Sequence, residues 1–167
     1  MADIWTQGSF AFRCTAAEAV LLGQAVAASH DLMAGLDLDP PGAELLAAFP
    51  PSNAADPWSG FRDAFDDPEF PGIGADFESG ACPDQPGLCV ICFASMSDFD
   101  PAAIAMLIQR CCPKTLKIAP IGFEWAMTCS KPHLDEFGGG WCAIFADRIE
   151  METTGAALSC ALDGGII

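Results

Sequence analysis

Residues 9–30, "SFAFRCTAAEAVLLGQAVAASH", carry a strand, a helix and the signal that joins them. Phe10, Phe12 and Cys14 fall on alternate positions, the period of a strand with one buried face. Thr15 then offers a helix N-cap. Glu18, three residues on, completes an S/T-x-x-E capping box, in which each side chain bonds the other's backbone N–H. Beyond it Ala19, Leu22 and Val26, with Leu21 and Ala25 beside them, recur at helical spacing and predict an amphipathic helix to about residue 30.

A second unit of the same kind follows much later. "GLCVICFASM" (87–96) is a continuous apolar run of strand length, as expected of a strand central in a sheet. Asp98 or Asp100 caps the next helix, Pro101 sits in its first turn, "AAIAMLIQRCC" carries it to about residue 112, and Pro113 ends it. "IGFEWAMTC" (121–129) alternates as a strand. "GGWCAIFAD" and "RIEMETT" (139–154) read as a hairpin turning near Asp147 and Arg148, and the last residues allow a short helix. With one further short strand at Ile73 to Phe77, the order becomes β-α-β-β-α-β plus a C-terminal β-hairpin. That is an α+β fold with ferredoxin-like topology: an antiparallel sheet with two helices on one face.

Between the two units the composition changes. Residues 31–84 hold 12 acids against one base, Arg62, and most of the 13 prolines. Only "PGAELLAAF" (41–49) and part of "PWSGFRDAFDD" (57–67) have helical spacing. A stretch this long without steady periodicity is an insertion with short helices of its own, not a connection. The whole chain, 1–167, is expected to form a single domain, since 167 residues suffice to bury one core.

The totals exclude several classes of function. A 51% apolar content is incompatible with a disordered tail, yet the longest apolar runs, such as "AAIAMLI" (102–108), are far below the roughly 20 residues of a membrane-spanning helix. The N-terminal "MADIWTQGSF" has neither a basic nor an apolar segment, so a cytoplasmic location is expected. Nine cysteines, an odd number lying mostly in apolar runs, read as buried thiols in a reducing compartment. A net charge of −16 disfavours direct contact with nucleic acid or an acidic membrane, and favours partners with basic surfaces.

Motifs for chemistry are sparse. Cys89 and Cys92 match C-x-x-C, but residues three apart in a strand point to opposite faces, so the two sulfurs should not meet. Cys129, His133 and Cys142 offer two thiolates and an imidazole, a donor set suited to zinc or to a Cys-His nucleophile, although C-x3-H-x8-C is not a recognised metal spacing. Gly138, Gly139 and Gly140 suit a wide turn or a close contact, not a phosphate cradle. The acids of 63–78 lack the alternation of an EF-hand loop. No common hydrolase signature occurs. The residues therefore point to no cofactor and no metal.

The stretch "GFRDAFDDPEFPGIGADFES" (60–79) is the strongest candidate for a working surface. It holds six carboxylates, Asp63, Asp66, Asp67, Glu69, Asp76 and Glu78, with four phenylalanines among them. The rings either dock inward and fix an acidic ridge or stay outside as anchors, with Phe65 and Phe70 the candidate anchors. Rigid carboxylates can imitate the charge spacing of a nucleic-acid backbone. In size and charge the chain resembles the small acidic antirestriction and anti-CRISPR inhibitors of mobile elements. The expectation is a non-enzymatic inhibitor or adaptor that binds a basic surface, such as that of a nucleic-acid-binding protein. The alternative is a metal protein or Cys/His enzyme built on Cys129, His133 and Cys142. A third is a homo-oligomer whose interface uses Trp5, Trp58, Trp125 or Trp141.

Overall fold

The computed structural model describes residues 3–131 and 136–163. Strand β1 (Ile4–Thr15) runs directly into helix α1 (Ala16–Met33). The capping box forms as the sequence predicts: the Glu18 N–H donates to Thr15 Oγ1, and the Thr15 N–H donates back to Glu18 Oε2. Glu18 goes further than a cap. It is only 5% exposed, and its carboxylate also accepts from the Lys114 N–H at 2.6 Å, the Thr115 N–H at 3.0 Å and the Thr115 hydroxyl at 2.7 Å. These donors belong to the one-turn helix α5 (Pro113–Leu116), so one carboxylate binds the N-cap residue of α1 and satisfies two of the first N–H groups of α5. Burial pushes the Glu18 carboxyl up, but the hydrogen bonds from Thr115 and Thr15 outweigh it and hold the group below the ordinary glutamate value.

The other elements follow in the expected order. Helices α2 (Ala43–Ala48) and α3 (Ser59–Arg62) lie in the insertion. Strands β2 (Asp76–Ala81) and β3 (Leu88–Ser95) form a hairpin, and helix α4 (Pro101–Cys111) starts on Asp100, whose carboxylate accepts from the Ala102 and Ala103 N–H groups. Strands β4 (Ile121–Cys129), β5 (Gly138–Ile144) and β6 (Ile149–Thr153) make a meander, with helix α6 (Thr154–Leu162) last. All neighbouring strands are antiparallel, in the order β2-β3-β1-β4-β5-β6. The first four have the ferredoxin-like order, and β5 and β6 extend the sheet beyond β4.

Two positions differ from the sequence reading. The strand expected at Ile73 to Phe77 begins later, at Asp76, because Ile73 is fully buried in the core and Gly74, at φ +60°, turns the chain before it can pair. The insertion therefore ends at Ala75, and residues 76–81 belong to the sheet. Pro113 does not simply stop α4. It occupies the first turn of α5, where its missing N–H costs nothing.

The strands divide their side chains between two faces. Phe10, Phe12, Cys14, Phe77, Ile91, Phe93, Ile121, Phe123, Cys142 and Ile144 face α1 and α4, and Phe10 stacks on Phe123 at 4.3 Å and on Phe93 at 5.7 Å. Gly8 is needed on this face because a Cβ there would lie 2.8 Å from the Phe99 ring. At Gly139 (φ +156°) and Gly140, a Cβ would strike the Trp125 carbonyl and ring, so the expected close contact is β5 crossing Trp125. The other face carries no long helix. It presents Asp76, Glu78, Ser9, Ala11, Arg13, Glu124, Trp141, Glu150 and Glu152, most of them exposed.

Glu18→Gln removes the charge that five donors converge on and is expected to cost about 1–3 kcal/mol at pH 7. Because the folded pKa is lowered, the carboxylate's contribution is complete above the unfolded value and fades as pH falls through the folded one. Chemical denaturation of both proteins from pH 7 to pH 3 should show their stability difference shrinking below about pH 4.3. A pH-independent difference would contradict this account of Glu18.

Candidate functional site

The insertion is attached to the core by its aromatic residues. Phe49, Trp58, Phe61 and Phe65 are buried and packed ring against ring: Phe49 to Phe61 at 4.9 Å, Trp58 to Phe61 at 5.8 Å, Phe61 to Phe65 at 5.2 Å. The Trp58 indole donates to the Asp39 carbonyl at 3.1 Å, which closes residues 34–42 over the same cluster. Phe65 therefore cannot serve as a surface anchor. It is 7% exposed, and its ring is spent on the core; Phe70, by contrast, is 63% exposed. Phe77, half-buried, tilts against Phe93 at 5.3 Å on the helical face of the sheet.

With the rings inward, the carboxylates turn out. Asp63, Asp66, Asp67 and Glu69 are all exposed in a compact series of turns after α3. The backbone there is tied down: the Asp67 carboxylate accepts from the Glu69 N–H at 3.0 Å, the Asp67 carbonyl accepts from the Phe70 N–H at 3.1 Å, and Ser52 donates to Asp63. Farther along, the Ser29 hydroxyl, fully buried, donates to the Pro71 carbonyl at 2.5 Å and fixes the chain against α1. Asp76 and Glu78 stand instead on the open face of β2. The six carboxylates are thus divided between a ridge of four and a strand pair. Among the described residues none of the six is in a salt bridge; Arg62, the one base of the insertion, pairs with Asp56.

The thiols are placed for packing. Cys89 and Cys92 do lie on opposite faces: Cys89 is opposite Cys14, and Cys92 is opposite Ala11 and Glu78. Burial pushes Cys111 and Cys142 up to about 12, and Cys112 is raised by donating to Cys14 and by burial. None of these is an activated nucleophile, which needs a lowered pKa and access. Cys129 donates to the Glu136 carboxylate at 2.9 Å, and that bond raises its pKa as well. Cys142 lies opposite Phe123 with its side chain in the core, while Cys129 is six residues farther along β4, about 20 Å away at strand spacing. The two thiols are not brought together. His133 lies outside the described residues. Among the described residues no group of three or more His, Cys, Asp or Glu side chains is placed to hold a metal ion.

Of the tryptophans, Trp58 is buried, Trp5 and Trp125 are half-buried, and Trp141 is exposed on the open sheet face opposite Glu124. What sequence reasoning missed is a groove of about 470 Å³ between α1 and β2, lined by Gly23, Val26, Ala27, His30, Asp76, Phe77 and Glu78. Its signal was present: Gly23 and Ala27 are small residues one helical turn apart. No protein-family model, curated protein or solved structure matches the chain.

Two phenylalanines five residues apart should therefore behave oppositely. Phe65→Ala is expected to destabilise the fold by roughly 3–5 kcal/mol, the range for an aromatic ring removed from a core. Phe70→Ala should stay within about 0.5 kcal/mol of the parent. Thermal and denaturant unfolding of both variants measures this directly, and equal effects would overturn the assignment of the two rings.

Proposed function

We propose that the protein is a non-enzymatic interaction protein, an inhibitor or adaptor, whose acidic surface meets a basic surface on a partner protein. In its finer form the reading is a nucleic-acid mimic of the antirestriction or anti-CRISPR type, made by a mobile element and directed at a nucleic-acid-binding protein. The observation that supports it is the ordered, uncompensated ridge of Asp63, Asp66, Asp67 and Glu69, held outward by rings that are themselves buried. Carboxylates that repel one another at fixed spacing are stabilised when cations arrive, and fixing them beforehand removes the ordering cost from binding. The net charge of −16 extends the attraction beyond the ridge and accelerates encounter with a basic partner, more so at low ionic strength.

The test is the quadruple variant Asp63→Asn, Asp66→Asn, Asp67→Asn, Glu69→Gln. The parent protein should capture a basic partner from its native cells at low salt, and release it when salt is raised or when excess double-stranded DNA competes. The variant should bind that purified partner at least about tenfold more weakly, with a shallower salt dependence. Unchanged affinity and salt dependence would overturn the proposal.

A further inference from the structure

The two carboxylates that stand apart from the ridge, Asp76 and Glu78, lie on an edge strand, and the backbone of that strand is unoccupied on one side. The Cys82 N–H donates to the Leu88 carbonyl at 2.9 Å, in register with the β2-β3 ladder. In an antiparallel ladder alternate residues share that orientation, so Asp76, Glu78 and Gly80 turn their N–H and C=O groups toward β3. Phe77, Ser79 and Ala81 turn theirs outward. Among the described residues no backbone group bonds to them there.

Helix α1 borders this edge without covering it. Gly23 and Ala27 leave the groove open where larger side chains would fill it: a Cβ on Gly23 would still stand 3.5 Å from the Phe77 ring. Exposed Val20 lies one turn earlier on α1 than Gly23. The groove thus has a row of free donors and acceptors along one wall and, along the other, the small and apolar residues Gly23, Val26 and Ala27 together with His30, the geometry in which an extended segment adds to a sheet.

We infer that the α1-β2 groove receives an extended basic segment of a partner protein, which pairs with Phe77, Ser79 and Ala81 as a seventh strand. The side chains of such a strand alternate between faces. Those on the open face fall beside Asp76 and Glu78 and are matched by Lys or Arg, since opposite charges on neighbouring strands attract. Those on the other face meet Gly23, Ala27 and Phe77 and are matched by apolar residues of moderate size. A second copy of this chain is a poor occupant, because pairing β2 with itself brings the Asp76 and Glu78 carboxylates of both copies onto one face, between molecules that each carry −16. The inference adopts the basic partner of the reading above, but not its ridge.

The probe is the peptide Lys-Val-Lys-Val-Lys-Val-Lys, with Lys-Lys-Lys-Lys-Val-Val-Val as a control of equal charge and composition. The alternating peptide should bind at least tenfold more tightly than the control and protect the Phe77, Ser79 and Ala81 amides from hydrogen exchange. Ser79→Pro removes an outward N–H while leaving the β3 ladder intact, and should reduce binding at least tenfold. Ala27→Trp fills the groove from the helix side, where Ala27 is exposed, and should do the same without touching the sheet. Equal binding of the two peptides, no protection at the three amides, or full binding by both variants would overturn the inference. So would concentration-dependent pairing of the protein through β2. The quadruple ridge variant separates the two proposals. Should it lose the native partner while Ser79→Pro and Ala27→Trp keep the alternating peptide, the ridge stands and the groove falls; the opposite pattern leaves the groove and removes the ridge.

Discussion

The carboxylate of Glu18 is the joint on which the architecture turns. It caps α1 at the point where β1 ends, and it also holds the first turn of α5, the short link between α4 and β4. The two β-α units are therefore locked to each other through one side chain nearly a hundred residues from its distant partners. A buried charge is costly unless its lone pairs are filled, and here five donors fill them. Around it sit buried thiols, Cys14, Cys111 and Cys112, compact and soft enough to pack against the converging backbones.

That joint sets the helices on one side of the sheet and leaves the other side to solvent. The buried apolar side chains are gathered on the helical side and under the insertion, and the acids, apart from Glu18, lie outside them. Their mutual repulsion is tolerable because they are spread over the ridge, the open face and the strand edges in water. At about 10 Å a pair of exposed charges costs under half a kcal/mol before salt screens it further. The same dispersal means that no ordinary protein surface satisfies all of them at once. A partner that does must carry cations over a comparable extent.

Much of this was legible in the sequence, and the limits of legibility are physical. The capping box of Thr15 and Glu18, the apolar run of β3 and the alternation of β4 are local patterns, and each element falls where its pattern lies. Phe61 and Phe65 declared only that rings must go somewhere, since burial is decided by the tertiary partner and not by spacing. Ile73 looked like a strand residue because it is β-branched and apolar, but a buried position in an irregular loop selects the same chemistry. The long-range bonds of Glu18 to Lys114 and Thr115 had no local signature: two come from backbone N–H groups, which are the same in every residue, and the third from a threonine hydroxyl nearly a hundred residues away. The α1-β2 groove left only the small residues Gly23 and Ala27 as its trace, since it is made by what those residues lack and by the distant strand that they face.

The position of β1 at the centre of the sheet has a consequence for how the chain comes into being. Among the described strands it comes first in the chain, yet both its neighbours, β3 and β4, come much later, the nearer of them roughly 70 residues on. At about 5–20 residues per second the nascent strand waits several seconds with both edges open and Phe10 and Phe12 unburied. Contacts of such long sequence separation also slow the final collapse, because loop closure precedes the gain from pairing. During that interval α1, the acidic insertion and β2 emerge, and the carboxylates of the insertion keep one unfinished chain away from the next. The acidity displayed by the finished surface thus protects the protein before that surface exists.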